Sequence, residues 1–198
     1  IATTTPVVQH KTPVLRVESF TDSSESIQLT VEYPQFVQSE STSTQKLINE
    51  AFKKEAKKLY DAQLKELQGS ISPDFSANGD VIFERKVQKD KAYINTETGV
   101  FSVSYANYTD TGGAHGTFFY TSQMIDINNG LKLVLKDILQ GEYKAKILEE
   151  LEKEIRLGDS TPTCVNCSSA LVTEDLEVTV PDNFVLTSKG IMFLYSSY

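Results

Sequence analysis

Residues 100–127 read Val100-Phe-Ser-Val-Ser-Tyr105-Ala-Asn-Tyr108-Thr-Asp110-Thr-Gly112-Gly113-Ala114-His115-Gly116-Thr-Phe118-Phe119-Tyr120-Thr-Ser-Gln-Met-Ile-Asp126-Ile127. On both sides of the glycines, β-branched and aromatic residues recur with a period of two, so the stretch predicts two half-buried strands joined by a short loop. Gly112, Gly113 and Gly116 carry no Cβ and allow positive φ or close approach, which predicts a shaped connection. The same period extends outward: Val81–Val87 and Lys91–Asn95 are predicted strands, with Lys89-Asp90 as the turn between them and Thr96–Gly99 turning into the next. Downstream, Asn128-Asn129-Gly130 is a strong hairpin signal that returns Leu131–Leu135 antiparallel. An antiparallel meander is the economical arrangement.

Toward the N-terminus, the Thr- and Pro-rich residues 1–13 read as an arm, and Val14–Phe20 and Ile27–Tyr33 as strands turned by Asp22–Glu25. After Pro34, the polar stretch Gln38–Thr44 offers N-caps to a helix of about six turns. Its apolar set is Leu47, Ile48, Ala51, Phe52, Ala56, Leu59, Tyr60, Leu64 and Leu67, and Gly69 is its expected stop. Lys53, Lys54, Lys57, Lys58 and Lys65 interleave with Glu50, Glu55, Asp61 and Glu66, the pattern of a solvated helix face. A second helix carries Tyr143, Ile147, Leu148, Leu151 and Ile155 on one side and ends at Gly158. Short strands follow at Leu176–Val180, Phe184–Thr187 and Ile191–Tyr195, the last two joined by Ser188-Lys-Gly190. Strands clustered between separate helices give an α+β fold: an antiparallel meander sheet packed against two main helices.

The 198 residues carry a formal charge of −8 and a pI near 4.8. That balance excludes a nucleic-acid partner, which requires a clustered basic face, and fits general solubility or a cationic partner. No apolar run reaches the ~18 residues of a membrane span. The chain starts at Ile1 without Met, the expected sign of a removed leader such as a signal peptide, and a strand pattern running to Tyr198 leads us to expect sequence beyond it. In an exported chain Cys164 and Cys167 form a short disulfide; in a cytosolic one they could serve metal or redox chemistry. Zinc needs four ligands, which two thiols with His10 and His115 do not supply in paired spacing, so no metal and no cofactor are expected. The Thr-Pro-Thr before the pair and the Ser-Ser after it read as loop, against a thioredoxin-type helix. A structural disulfide is the assignment.

His115 is one of only two histidines and could act as a general base, with Thr109, Asp110 and Thr111 able to orient it. No Gly-x-Ser-x-Gly elbow or His-Glu-x-x-His helix accompanies it, so no catalytic residue is assigned. A histidine in such a loop also serves architecture, tying the turn down through a hydrogen bond to backbone. The third reading is recognition, by Tyr105, Tyr108, Phe118 and Tyr120 around Gly112, Gly113 and His115. Aromatic side chains of this kind anchor proteins and stack on sugars. Strand alternation places about half of them in the core.

The run from Val103 to Leu139, with Tyr105-Ala-Asn-Tyr108, Gly112-Gly-Ala-His115, Tyr120 and Ile125-Asp-Ile-Asn-Asn-Gly-Leu-Lys-Leu-Val-Leu-Lys-Asp-Ile-Leu139, resembles the RsiV-like family, a domain of unknown function. Val31-Glu-Tyr-Pro-Gln-Phe36, followed by Leu47-Ile-Asn49 at the helix start, resembles the PdaC-type domain that precedes it. The resemblance divides the chain into an arm at 1–13, a PdaC-type part with the long helix at 14–80 and an RsiV-like part at 81–198, the last two forming one α+β unit. It implies an exported protein of the cell envelope, periplasmic, at the cell surface or lipid-anchored upstream of Ile1, that recognises rather than transforms its ligand. The implied partner is a cationic protein such as a lysozyme, or a peptidoglycan fragment. The alternatives are a cell-wall glycan or peptide hydrolase, or a deacetylase-associated enzyme, using His115, and a purely structural envelope domain. Neither a sigma-factor-binding segment nor a deacetylase metal motif occurs in the chain, and the Cys164–Cys167 loop is not part of the family pattern.

Overall fold

In the computed structural model, which describes residues 13–24, 26–37, 42–70, 83–112, 115–156 and 180–195, the period-two stretches and the long helical repeat become regular elements. The strands are β1 (Leu15–Ser23), β2 (Ile27–Phe36), β3 (Phe83–Asn95), β4 (Val100–Asp110), β5 (Thr117–Asp126) and β6 (Lys132–Leu133), and the long helix is α1 (Ser43–Ser70). The six strands lie in one sheet in sequence order. All neighbours are antiparallel except β2 and β3, which run parallel with Ile27 opposite Phe83 and Val31 opposite Val87. The α+β class holds and the antiparallel meander runs from β3 to β6, while the β1–β2 hairpin joins it through a parallel pair. A parallel neighbour can be reached only by a chain that returns past the sheet, and the 28 residues of α1 make that return.

Two further expectations change. Lys89-Asp90 is not a turn: β3 runs through it, with the register against β4 shifting between Lys89 and Ala92. The Asp90 carboxylate accepts a hydrogen bond from the Ser104 hydroxyl at 3.3 Å, and Ser104 Oγ accepts one from the Lys91 N–H at 3.2 Å, so partner-strand groups satisfy a β-bulge. Residues 131–135 give only the two-residue β6 before the chain becomes helical at Leu135. The turns at Thr96–Gly99 and Asn128–Gly130 form as expected. Gly99 and Gly130 hold φ of 73° and 78°, and Asn95 Oδ1 accepts the N–H groups of Glu97 and Thr98.

One sheet face is covered by α1. Its buried side is Gln45, Ile48, Asn49, Phe52, Ala56 and Leu67, with Tyr60 and Leu64 partly buried, against Leu29, Val31, Tyr33, Val87, Phe101, Val103 and Tyr105. This stripe follows the 3.6-residue repeat, but Leu47 and Leu59, expected within it, point to solvent at 72% and 40% exposure. Polar Gln45 and Asn49 take face positions in their place. The helix also runs through Gly69 to Ser70, beyond its expected stop.

Near its C-terminal end α1 is tied to the sheet by Arg85, whose guanidinium donates to both Glu66 oxygens at 2.8 and 2.6 Å. These hydrogen bonds and the charge of Arg85 hold the Glu66 carboxyl below its usual range. Its folded pKa is depressed, so the stabilisation is present above the unfolded carboxyl pKa of about 4.3 and is lost as pH falls through the folded value. Because the carboxylate is 62% exposed, Glu66→Gln should cost less than about 1 kcal/mol at pH 7 and nothing near pH ~2. Urea unfolding at the two pH values checks this, and an equal loss at both would refute it.

The opposite face is covered in part by a hairpin of β7 (Phe184–Thr187) and β8 (Gly190–Phe193), turned by Ser188 and Lys189 as expected. Small side chains make room for its backbone: Ser102 Oγ accepts the Leu186 N–H and Ser122 Oγ the Phe184 N–H, each at 3.0 Å. Asn183 Oδ1 accepts the Ser122 N–H at 3.1 Å. Ser102, fully buried, and the half-buried Ser122 are therefore docking posts for a second layer rather than polar residues on a wet face.

Residues 134–182 form a separate unit. Its described part contains a short helix α2 (Leu135–Ile138) and α3 (Tyr143–Arg156). In α3 the half-buried residues Tyr143, Ile147, Leu148 and Leu151 share one side, as the sequence period predicts. Gly158, Cys164, Cys167, residues 176–179, residues 1–12 and the loop residues Gly113 and Ala114 lie outside the described residues.

Candidate functional site

The register of β4 and β5 sorts the loop's aromatic residues between two faces. Tyr108 pairs with Phe118 and Ala106 with Tyr120, so Tyr108, Phe118 and Tyr120 share the hairpin side of the sheet, beyond the Ser104–Ser122 pair. Tyr105 is three residues from Tyr108 and falls on the α1 side, where it is buried in the core. Burial and the nearby Glu55 charge push its phenol pKa far up. Three of the four expected aromatics therefore come together and the fourth is structural. Phe119, opposite Asn107, is on the α1 side and 41% exposed.

On the shared face the Phe118 and Tyr120 rings meet edge to face at 5.0 Å between centroids. The arrangement is stepped and does not offer a flat platform. Tyr108 donates from its hydroxyl to Asp110 Oδ2 at 3.3 Å, while Asp110 Oδ1 accepts the Gly112 N–H at 2.8 Å. One carboxylate thus orients the aromatic ring and closes the first turn of the loop, where Gly112 holds φ of 76°. Desolvation, then the charge and hydrogen bond of Asp110, raise the Tyr108 pKa. At neutral pH Tyr108 is a phenol, a donor rather than a base. Beside it, Lys86 pairs with Tyr108 across β3–β4 and is ion-paired with Glu84 at 2.5 Å.

Gly116 explains the far side of the loop. A Cβ at this position would lie 2.5 Å from the Tyr108 ring, so the ring lies across a backbone that only glycine allows it to approach. His115 is exposed and, among the described residues, accepts and donates no hydrogen bond. Among the described residues, the loop is held by Asp110–Gly112 on one side and by the approach of Tyr108 to Gly116 on the other. Asp110, expected as a partner of the histidine, is turned to Tyr108 and Gly112. Among the described residues no group of three or more His, Cys, Asp or Glu is placed to hold a metal ion. Among them also, no helix is long and apolar enough to cross a membrane.

Sequence reasoning named the aromatics but not the charged groups around them. Glu84 and Lys86 join the site only through the β3–β4 register. The close approach of Tyr108 to Gly116 joins two strands that the loop turns back on each other. Parity alone would have separated Tyr105 from Tyr108.

The arrangement defines an α+β domain whose most distinctive surface is a stepped aromatic face bordered by Asp110 and the Glu84–Lys86 pair. Residues 20–117, from the middle of β1 to the start of β5, match the family described as Deacetylase PdaC. A solved structure of a DUF3298 family member from Bacteroides fragilis superposes with a TM-score of 0.61 at 16% identity, over 92% of this chain and 83% of its own. Another DUF3298 family protein, from Pseudomonas aeruginosa, gives a TM-score of 0.50 at 13% identity, over 90% and 81%. At these identities the likeness is one of fold. No curated protein matches the chain.

Proposed function

We propose that this chain is an extracytoplasmic recognition or sensor-type module of the cell envelope that binds a cationic protein of the lysozyme kind through the face carrying Tyr108, Phe118 and Tyr120. The observation that carries the reading is the convergence of three half-buried aromatics beside Asp110 and Glu84, in a chain of net charge −8. Aromatics anchor protein interfaces at their centre, and complementary charge at the rim steers the partner in. The edge-to-face step of Phe118 and Tyr120 favours a side chain inserted between rings over a sugar ring laid flat on them. The RsiV-like resemblance around the glycine loop points to the same partner class. His115 is exposed in the loop between the strands that carry this face.

The test is titration of a purified lysozyme into the chain at low and high salt, beside peptidoglycan fragments. Binding to the lysozyme should weaken as salt rises. Tyr108→Ala should weaken it by tenfold or more, on the order of 1.4 kcal/mol. Gly116→Ala should act in the same direction with the fold retained, because the added methyl displaces the end of the Tyr108 side chain rather than backbone. Binding only to peptidoglycan would replace the partner, and no binding to either would end the recognition reading. The hydrolase alternative requires turnover that His115→Ala abolishes in a folded protein. Fractionation of cells producing the natural protein tests its placement outside the cytoplasm.

A further inference from the structure

The edge of the sheet at β1 is nine residues long, and no strand pairs with its outer side among the described residues. Its hydrogen-bonding direction follows from the ladder to β2. Val37 donates to the Val14 carbonyl and Ser24 to that of Ile27, and the register pairs residues whose numbers alternate from there. Even-numbered residues of β1 therefore bond inward to β2. Leu15, Val17, Ser19, Thr21 and Ser23 point their N–H and C=O groups outward. Pro34, opposite Val17, agrees, since a residue without an N–H fits a non-hydrogen-bonded pair.

We propose that two copies of this chain associate through their β1 edges, antiparallel, with the two-fold axis beside Val17. This register is self-complementary. Val17 meets Val17 of the second copy in a hydrogen-bonded pair, Leu15 meets Ser19, and Arg16 of each copy lies opposite Glu18 of the other. Directly opposed charges of opposite sign stabilise an antiparallel pair, and the two-fold axis doubles the contact. In a single copy Arg16 and Glu18 form an ion pair along the strand. That pair shields the edge, and its partners exchange across the axis on association. Val14 and Val17, 54% and 44% exposed, lie along the same edge. A single strand pair buries little area, so the association is weak and concentration-dependent.

Sedimentation of the full chain over rising concentration tests this, with three variants. Val17→Pro should leave the protein monomeric and folded, because the Val17 N–H faces outward and its loss breaks no bond to β2. Circular dichroism and the urea midpoint verify the fold. Arg16→Glu places like charges opposite one another and should weaken association by roughly tenfold, while the double variant Arg16→Glu, Glu18→Arg restores the opposition and should recover most of it. A chain that stays monomeric to about 1 mM, a Kd that by the affinity scale corresponds to only ~4 kcal/mol, overturns the proposal. So does a dimer indifferent to Val17→Pro. Failure of the double variant to recover association overturns the register at Val17.

Discussion

Asn49→Leu should destabilise the folded chain by about 3 kcal/mol, although leucine matches asparagine closely in volume and leaves no cavity. Asn49 is 1% exposed on the sheet side of α1, and its side chain pairs with the last residue of β2 as another strand would. Its Oδ1 accepts the Phe36 N–H at 2.8 Å and its Nδ2 donates to the Phe36 carbonyl at 2.9 Å. Gln35 completes the arrangement by donating from Nε2 to the Asn49 carbonyl at 2.9 Å. Where β2 outruns β3 and, among the described residues, no strand flanks it on the side away from β1, one amide side chain satisfies its backbone. Leucine leaves a buried N–H and a buried C=O without partners, at ~1–3 kcal/mol each. Urea unfolding followed by circular dichroism measures the loss, and a change below about 1 kcal/mol would show that water or a relaxed backbone replaces the amide.

Phe101→Ala should cost about 3–5 kcal/mol by removing the central ring of the core. Phe101 is fully buried on β4, edge to face with Phe36 of β2 at 5.4 Å and with Phe52 of α1 at 5.9 Å. Its loss disconnects three elements at once, and the helix that covers them cannot collapse far while Asn49 holds its first turns to β2. Phe101→Leu should recover most of the stability, since it keeps much of the volume. Phe119→Ala, at a 41% exposed ring, is the matched control and should cost under about 1 kcal/mol. If the two alanine variants unfold at the same urea concentration, the core is not centred on Phe101.

The strands were legible wherever period two persisted. β1, β2, β4, β5 and the β7–β8 hairpin follow alternation and turn residues whose effect is local, and the Thr96–Gly99 and Asn128–Gly130 turns form because positive φ is a property of the residues themselves. The bulge at Asp90 was not legible. Lys-Asp is compatible with a turn, and what keeps the chain extended there is Ser104, a residue of the next strand. The parallel pairing of β2 with β3 was hidden for a similar reason, because alternation reports which face a residue takes and not which neighbour its strand will find.

The aromatic face was half legible. Tyr108, Phe118 and Tyr120 stood out by type, and their common face followed once β4 and β5 paired. Glu84 and Lys86 carry no mark in the sequence, since charged residues on a strand are ordinary, and His115 drew more attention from its rarity than its exposed position supports. Asn49 belongs to the quoted Leu47-Ile-Asn49 motif, yet as a sequence feature it was only a pattern. The structure turns it into a mechanism, an amide that closes the end of β2.

What the sequence determined alone was the class of the fold, its strands and turns, and the amphipathic course of α1 and α3, because each depends on torsional preference and on a hydrophobic period within a few residues. Only the tertiary structure decided that β2 and β3 run parallel, that serines 102 and 122 hold a second layer, that Tyr105 leaves its neighbours for the core, and that β1 presents a self-complementary edge. Each of these depends on register between strands distant in sequence, where a shift of one residue exchanges the two faces.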